Sequence, residues 1–381
     1  MMYTRHWAPT LLSLSGVAIL AGAGATVEPP VAPDRAAYDK VVRAALDHLR
    51  LRGQAADGSF SAELGPGVTA VVITGALETG RVTPNEPWIA GGLKYLETFV
   101  KPDGGIYESR HDNYTTSVAL MAFAAANKDG RYNTLIAGAQ KFIKGLQWDE
   151  SDGTSQDNPA YGGIGYDSKK RADLSNTQIA MEALVRSGID SKDESLQKAL
   201  RFLSQCQNLP SEHNRQEFAL KASDDDRGGS IYTPVGKGES KAGESPGGGL
   251  RSYGSMSYAG LKSMIYAALD KKDPRVAAAV DWARRHWSVA ENPGMGQVGV
   301  YYYYQTLAKA LDVLGEDLFV DSKGVRHAWR VELFEELARR QRPDGSWVNP
   351  ADRWYEGDAN LVTGYVLMAL SHLKPAPARA K

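Results

Sequence analysis

Apolar residues recur at helical spacing in six separated stretches of the chain. Val42, Ala45 and Leu49 form the first set, Ile89, Leu93 and Leu96 the second, and Leu135, Ala139, Phe142 and Leu146 the third. Leu196, Leu200 and Leu203, then Val276, Ala279, Ala283 and Trp287, then Val331, Phe334 and Leu337 complete the series. Steps of three and four residues put each set on one helical face, leaving charged residues on the other. Each such helix is followed by a second segment, at 69–77, 115–126, 176–185, 257–269, 299–311 and 361–373, with few charges on any side. Helices that are apolar all round are buried all round. Six charged outer helices around six apolar inner ones predict an all-α domain, an (α/α)6 toroid closed so that no terminal hairpin lacks a neighbour.

Short turns punctuate the hairpins: Asp57-Gly58-Ser59-Phe60, Asp103-Gly104-Gly105-Ile106-Tyr107, Tyr161-Gly162-Gly163-Ile164-Gly165-Tyr166, Arg227-Gly228-Gly229-Ser230-Ile231-Tyr232 and Asp344-Gly345-Ser346-Trp347. Glycine admits the left-handed backbone of a tight reversal, and the bulky residue after it can plug the gap between repeats. The fifth copy is degenerate, with only Asn292-Pro293-Gly294-Met295-Gly296.

The ends differ from this pattern. Arg5, an apolar run from Leu11 and the small residues Ala21 to Ala25 have the layout of a secretory signal peptide over 1–25, which predicts a secreted or periplasmic protein. A proline-rich linker at 26–37 and a flexible tail at 374–381 flank the toroid at 38–373. No later segment is apolar enough for a transmembrane span, so none is expected in the mature chain. The 44 basic and 45 acidic residues nearly balance, which argues against a nucleic-acid partner. Cys206 is the only cysteine, which rules out an internal disulfide and multi-cysteine zinc.

The last copy contains Gln341-Arg342-Pro343-Asp344-Gly345-Ser346-Trp347, which resembles the Gln-x-x-x-Gly-x-Trp repeat of the squalene cyclase and protein prenyltransferase superfamily. Weaker versions extend the resemblance from about Tyr38 to Leu373, and it implies the terpenoid cyclase-like toroid. The cyclases of that family protonate an alkene with an Asp-x-Asp-Asp-Thr-Ala motif at the start of an inner helix. Here the register reads Asp173-Leu174-Ser175-Asn176-Thr177-Gln178, and neither Ser175 nor Asn176 can deliver that proton. Asp173, with Asp112 and Asp358 at similar helix starts, is what remains as candidate acid chemistry, and all three are also placed to act as N-caps. The triplet Asp224-Asp225-Asp226 reads as a solvated acidic turn inside the longest polar stretch, 208–249. The prenyltransferase zinc ligands have no counterpart in 249–258 or near Val362, and Cys206-Gln207-Asn208-Leu209 is not a thioester segment, so no metal or cofactor is expected.

The family places a cavity where the inner helices begin. Those starts offer Tyr114, Tyr253, Tyr258, Tyr301 and Trp354 as ligand-binding candidates, beside His111, Arg171, Tyr355 and the run Tyr301-Tyr302-Tyr303-Tyr304. Three readings follow. One is a toroid binding a hydrophobic, isoprenoid-like small molecule or a protein partner; the second is an active isoprenoid cyclase with another acid. The third is a carbohydrate-active (α/α)6 enzyme using His111, Tyr114 and Arg171, should they converge.

Overall fold

The computed structural model describes residues 30–167 and 171–375, so the leader at 1–25, part of the linker and most of the tail lie outside the described residues. Helices α1 (Arg35–His48), α2 (Pro66–Glu78), α3 (Pro87–Glu97), α4 (Asp112–Ala126), α5 (Asn133–Gly145) and α6 (Leu174–Arg186) build the first three hairpins. They are followed by α7 (Glu194–Cys206), the single turn α8 (Glu217–Leu220), α9 (Gly254–Tyr266), α10 (Pro274–Arg285), α11 (Val300–Leu314), α12 (Trp329–Arg340) and α13 (Ala359–Leu370). A two-residue antiparallel ribbon, β1 (Phe319–Val320) with β2 (Arg326–His327), joins α11 to α12.

Inner helices α2, α4, α6, α9, α11 and α13 each pack on the next, and α13 packs back on α2. The ring is therefore closed, as the pattern of six hairpins requires. Outer helices show buried residues on one face only, such as Trp88, Ile89, Leu93 and Leu96 of α3, whereas α2 and α13 are buried along most of their length. Trp287, read as the end of the fifth outer face, lies just past α10, where it packs against Phe319 and His327.

The turn motif holds neighbouring hairpins together through a repeated pair of hydrogen bonds. Gln341 Nε2 donates to the carbonyl of Gly345 in its own turn and to the carbonyl of Val41 in α1, both at 3.0 Å. Gln54, Gln147 and Gln207 make the same bridge from their own turn glycine to the next outer helix, at Trp88, Ser195 and Arg275. At Gly345 φ is +89°, and a Cβ there would stand 2.2 Å from the Ala44 carbonyl oxygen. Only glycine fits a backbone that close in that conformation. Because α1 belongs to the first hairpin, this contact between the sixth turn and α1 seals the ring. A second repeated bond fixes each turn to its inner helix. The amides of Phe60, Ile106, Ile164, Ser230 and Trp347 donate to the hydroxyls of Thr69, Thr116, Thr177, Ser257 and Thr363.

The polar stretch 208–249 is ordered. Phe218, Ala219, Ile231 and Leu250 form a small cluster of their own, and short bridges join Gln207 to Ser230 and Thr233 to Glu239. The acidic triplet does not behave as one solvated turn. Asp224 and Asp225 are exposed, but Asp226 is buried, accepting from Ser223 Oγ at 2.5 Å and the Ser252 amide at 2.8 Å. Its carboxylate ties the segment to the residues leading into α9. Among the described residues no helix is long and apolar enough to cross a membrane.

Candidate functional site

The N-terminal ends of the inner helices surround a half-open cavity of about 550 Å³. That volume suits one small molecule. Residues 65–68 open α2 on one side, Tyr114 and Thr115 come from α4, Ser175 from α6, Ser255 and Met256 from α9, Tyr302 from α11, and Leu361 and Tyr365 from α13. Tyr166, Tyr232 and Lys241 complete the wall from the loops, and Tyr253 from the residue before α9. Six tyrosines, Tyr114, Tyr166, Tyr232, Tyr253, Tyr302 and Tyr365, thus present rings and hydroxyls to one space. Two hydroxyl pairs meet in the wall: Tyr114 with Tyr365 at 2.8 Å, and Tyr302 with Ser175 at 3.1 Å.

The mouth is built on strained backbone. Five described non-glycine residues have positive φ, and three of them, His111, Trp354 and Tyr355, line the cavity. Such strain persists only where the surroundings enforce it, and it gathers at ligand sites. Here it turns Trp354 and Tyr355 outward, 41% and 60% exposed, at the rim. Arg353 stacks over Trp354 at 4.5 Å, while His111 packs on Tyr166 at 5.2 Å. Glu63, Glu108 and Arg110 share the rim.

The candidates from the sequence divide. Tyr114, Tyr253 and Trp354 line the cavity, with His111 and Tyr355. Tyr258 and Tyr301 do not: Tyr258 is fully buried edge-on against Tyr303 at 5.7 Å, and Tyr301 packs edge-on against Tyr304 at 5.8 Å. A helix sends successive residues about 100° apart, so of the run 301–304 only Tyr302 escapes burial and reaches the cavity. Arg171 forms an ion pair with Glu239 at 2.6 Å and lies over Tyr232, outside the lining that holds His111 and Tyr114.

The three aspartates also separate. Asp358 caps α13, accepting from the Leu361 amide and Ser61 Oγ, both at 2.7 Å. Asp112 is not an N-cap: His111 occupies that position in a left-handed conformation, and Asp112 is the first residue of α4. Asp173 caps α6 through the Asn176 amide at 2.9 Å and is 2% exposed. Its carboxylate also receives Asn176 Nδ2, at 3.1 and 2.9 Å. Burial pushes its carboxyl up to about 6, against the lowering effect of those hydrogen bonds and of the Arg171 charge. Asp173 is therefore enclosed and outside the cavity lining, whereas Ser175 stands on the wall itself.

Tyr166, Tyr232 and Glu108, none of them a sequence candidate, share a signal the repeat carries. Each lies four residues after a positive-φ turn glycine, Gly162, Gly228 and Gly104, and each lines the cavity. Among the described residues no group of three or more His, Cys, Asp or Glu side chains is arranged to hold a metal ion. Cys206 is buried, which pushes its thiol well above its ordinary range.

No family model and no curated protein matches this sequence. Solved structures do. The type II terpene cyclase MstE from Scytonema, without ligand, aligns with a TM-score of 0.52 at 15% identity, covering 89% of this chain and 98% of that one. The chain has a terpenoid cyclase-like toroid fold. A variant of the same cyclase in complex with its substrate, geranylgeranyl dihydroxybenzoate, gives the same TM-score, identity and coverage. A possible member of the GH105 family from Salmonella enterica aligns at 0.53 and 9% identity, over 89% of this chain and 94% of that one. At such identities the likeness concerns the fold, and this toroid's chemistry has to be argued from its own residues.

Proposed function

We propose that the toroid binds one hydrophobic small molecule of isoprenoid type in its tyrosine-lined cavity and does not cyclise it. The observation that carries this reading is the wall at the head of α6, where the Ser175 hydroxyl faces the cavity and Asp173 is buried behind it. A serine hydroxyl is far too weak an acid to protonate an alkene. Among the described residues the only carboxylates lining the cavity are Glu63 and Glu108, both exposed at the rim and away from the wall at the head of α6. The apolar surface of Leu64, Pro66, Val68, Met256 and Leu361, together with the tyrosine faces, suits an aliphatic or polyene body. The binding of a geranylgeranyl compound by a cyclase of the same fold adds support.

Mass spectrometry of the purified protein, before and after organic extraction, tests this directly. A prenyl or polyprenyl molecule is expected at about one per chain, lost in the double variant Tyr302→Ala, Trp354→Ala. Protein that carries no lipid and takes none up, or that retains an oligosaccharide, would overturn the reading.

A further inference from the structure

Behind the Ser175 wall lies a charged cluster in the centre of the ring, where all neighbours are protein. Lys262 of α9 and Lys309 of α11 both reach Glu182 of α6, at 2.5 and 2.6 Å, and Arg186 joins Glu182 to Glu78 of α2 at 3.3 and 2.5 Å. Lys262, Lys309 and Glu182 are at most 1% exposed. Three cations, Lys262, Lys309 and Arg186, face two anions, Glu182 and Glu78, so the cluster carries one net positive charge. Burial lowers the Lys262 ammonium to about 8, with Glu182 opposing the shift, so it stays charged at neutral pH.

One chain of hydrogen bonds leads from this cluster to the cavity. Lys262 Nζ donates to Gln178 Oε1 at 2.5 Å, and Gln178 Nε2 donates to the Tyr302 hydroxyl at 2.7 Å. An ammonium has protons and no acceptor, so it fixes which way the amide points: oxygen toward the lysine, NH₂ toward the tyrosine. The Tyr302 oxygen then accepts, and its own proton is free to donate. Tyr302 and Ser175 share one bond at 3.1 Å, which uses one of their two protons. The other has no protein acceptor among the described residues, and both side chains line the cavity. Whichever of the two hydroxyls holds it, the wall offers a donor, polarised by a buried cation two hydrogen bonds from Tyr302 and three from Ser175.

We infer that the Ser175–Tyr302 pair is the polar subsite of the cavity and that it selects ligands carrying a carbonyl oxygen, an acceptor without a proton of its own. This rests on the proposed binding of an isoprenoid-type molecule and names its polar group: a prenylated ketone or quinone. The ligand's carbonyl oxygen accepts the free proton, and the chain of donors from Lys262 then ends satisfied. A hydrocarbon of the same shape leaves that donor buried without a partner, which costs about tenfold in affinity.

The test uses three probes of one carbon skeleton: a polyprenyl ketone, the alkene with CH₂ in place of its oxygen, and the corresponding secondary alcohol. Binding is measured by titration calorimetry, together with the infrared carbonyl stretch of bound ketone. Wild-type protein is expected to prefer ketone over alkene about tenfold, with the stretch moved to lower frequency than in hexane. Gln178→Glu reverses the chain, because a carboxylate accepts from Lys262 and from Tyr302 alike, so the wall then presents a lone pair. Its added charge also neutralises the cluster's excess. Gln178→Glu should favour alcohol over ketone and return the stretch to its hexane value. Ser175→Ala with Tyr302→Phe should bind ketone and alkene equally, and this variant carries the test should Gln178→Glu not fold. Equal wild-type affinity for ketone and alkene, or an unchanged preference in Gln178→Glu, would refute the carbonyl subsite alone. If wild type binds none of the three probes, the ligand-binding reading falls and the subsite with it.

Discussion

Asp173 and Ser175 stand two residues apart at the head of α6 and face different surroundings. Asp173 is enclosed, so its proton is held to a higher pH than an ordinary aspartate holds one. A carboxyl whose folded pKa is raised contributes stability that is complete below its unfolded value, about 3.8, and is lost as the pH rises through about 6. Carbon-13 NMR of the aspartate carboxyls should show one resonance with a midpoint near 6, missing in Asp173→Asn. A spectrum in which every aspartate titrates below about 5 would contradict the burial argument. The capping role of Asp173 was legible from an aspartate ahead of an apolar helix, and the loss of an acid at Ser175 from its register in the repeat. Which tyrosine of 301–304 meets the cavity was not legible. Helical phase relative to the ring axis is set by packing on α9 and α13, which no local sequence encodes.

The repeated glutamine gives the elements their registry. Gln341→Ala leaves the carbonyls of Gly345 and Val41 without that partner at the joint between the sixth hairpin and α1. It should destabilise the protein by about 1–3 kcal/mol, read from urea unfolding followed by circular dichroism. A loss smaller than about 0.5 kcal/mol, ordinary for a surface site, would mean the bridge is dispensable. Periodicity located all twelve ring helices, because each outer helix has one wet face and each inner one has almost none. It could not disclose how the degenerate fifth copy holds its place. There Asn292 stands in, accepting the Ser255 amide at 3.0 Å and donating to the Val298 carbonyl at 3.1 Å. Nor did alternation of polar residues reveal that 208–249 folds over a cluster of its own, since only Phe218, Ala219, Ile231 and Leu250 supply it.

As a whole, the molecule is a ring whose two ends meet through one turn and whose inner helices begin around a single cavity. Closure brings residues 251 positions apart, Tyr114 and Tyr365, into one hydroxyl pair. That is why the site could be expected at the inner helix starts, while its membership, Tyr166, Tyr232, Tyr302 and Tyr365, waited on the structure. The same closure places a positively charged cluster behind the wall instead of a cyclase acid, so the ring is read as a holder of its ligand. The most direct trial is incubation of delipidated protein with a geranylgeranyl ligand, followed by native mass spectrometry and then chromatography of the extracted ligand. One bound molecule per chain, recovered with all its double bonds in place, is the predicted result. Recovery of a cyclised product, or no binding at all, would contradict it.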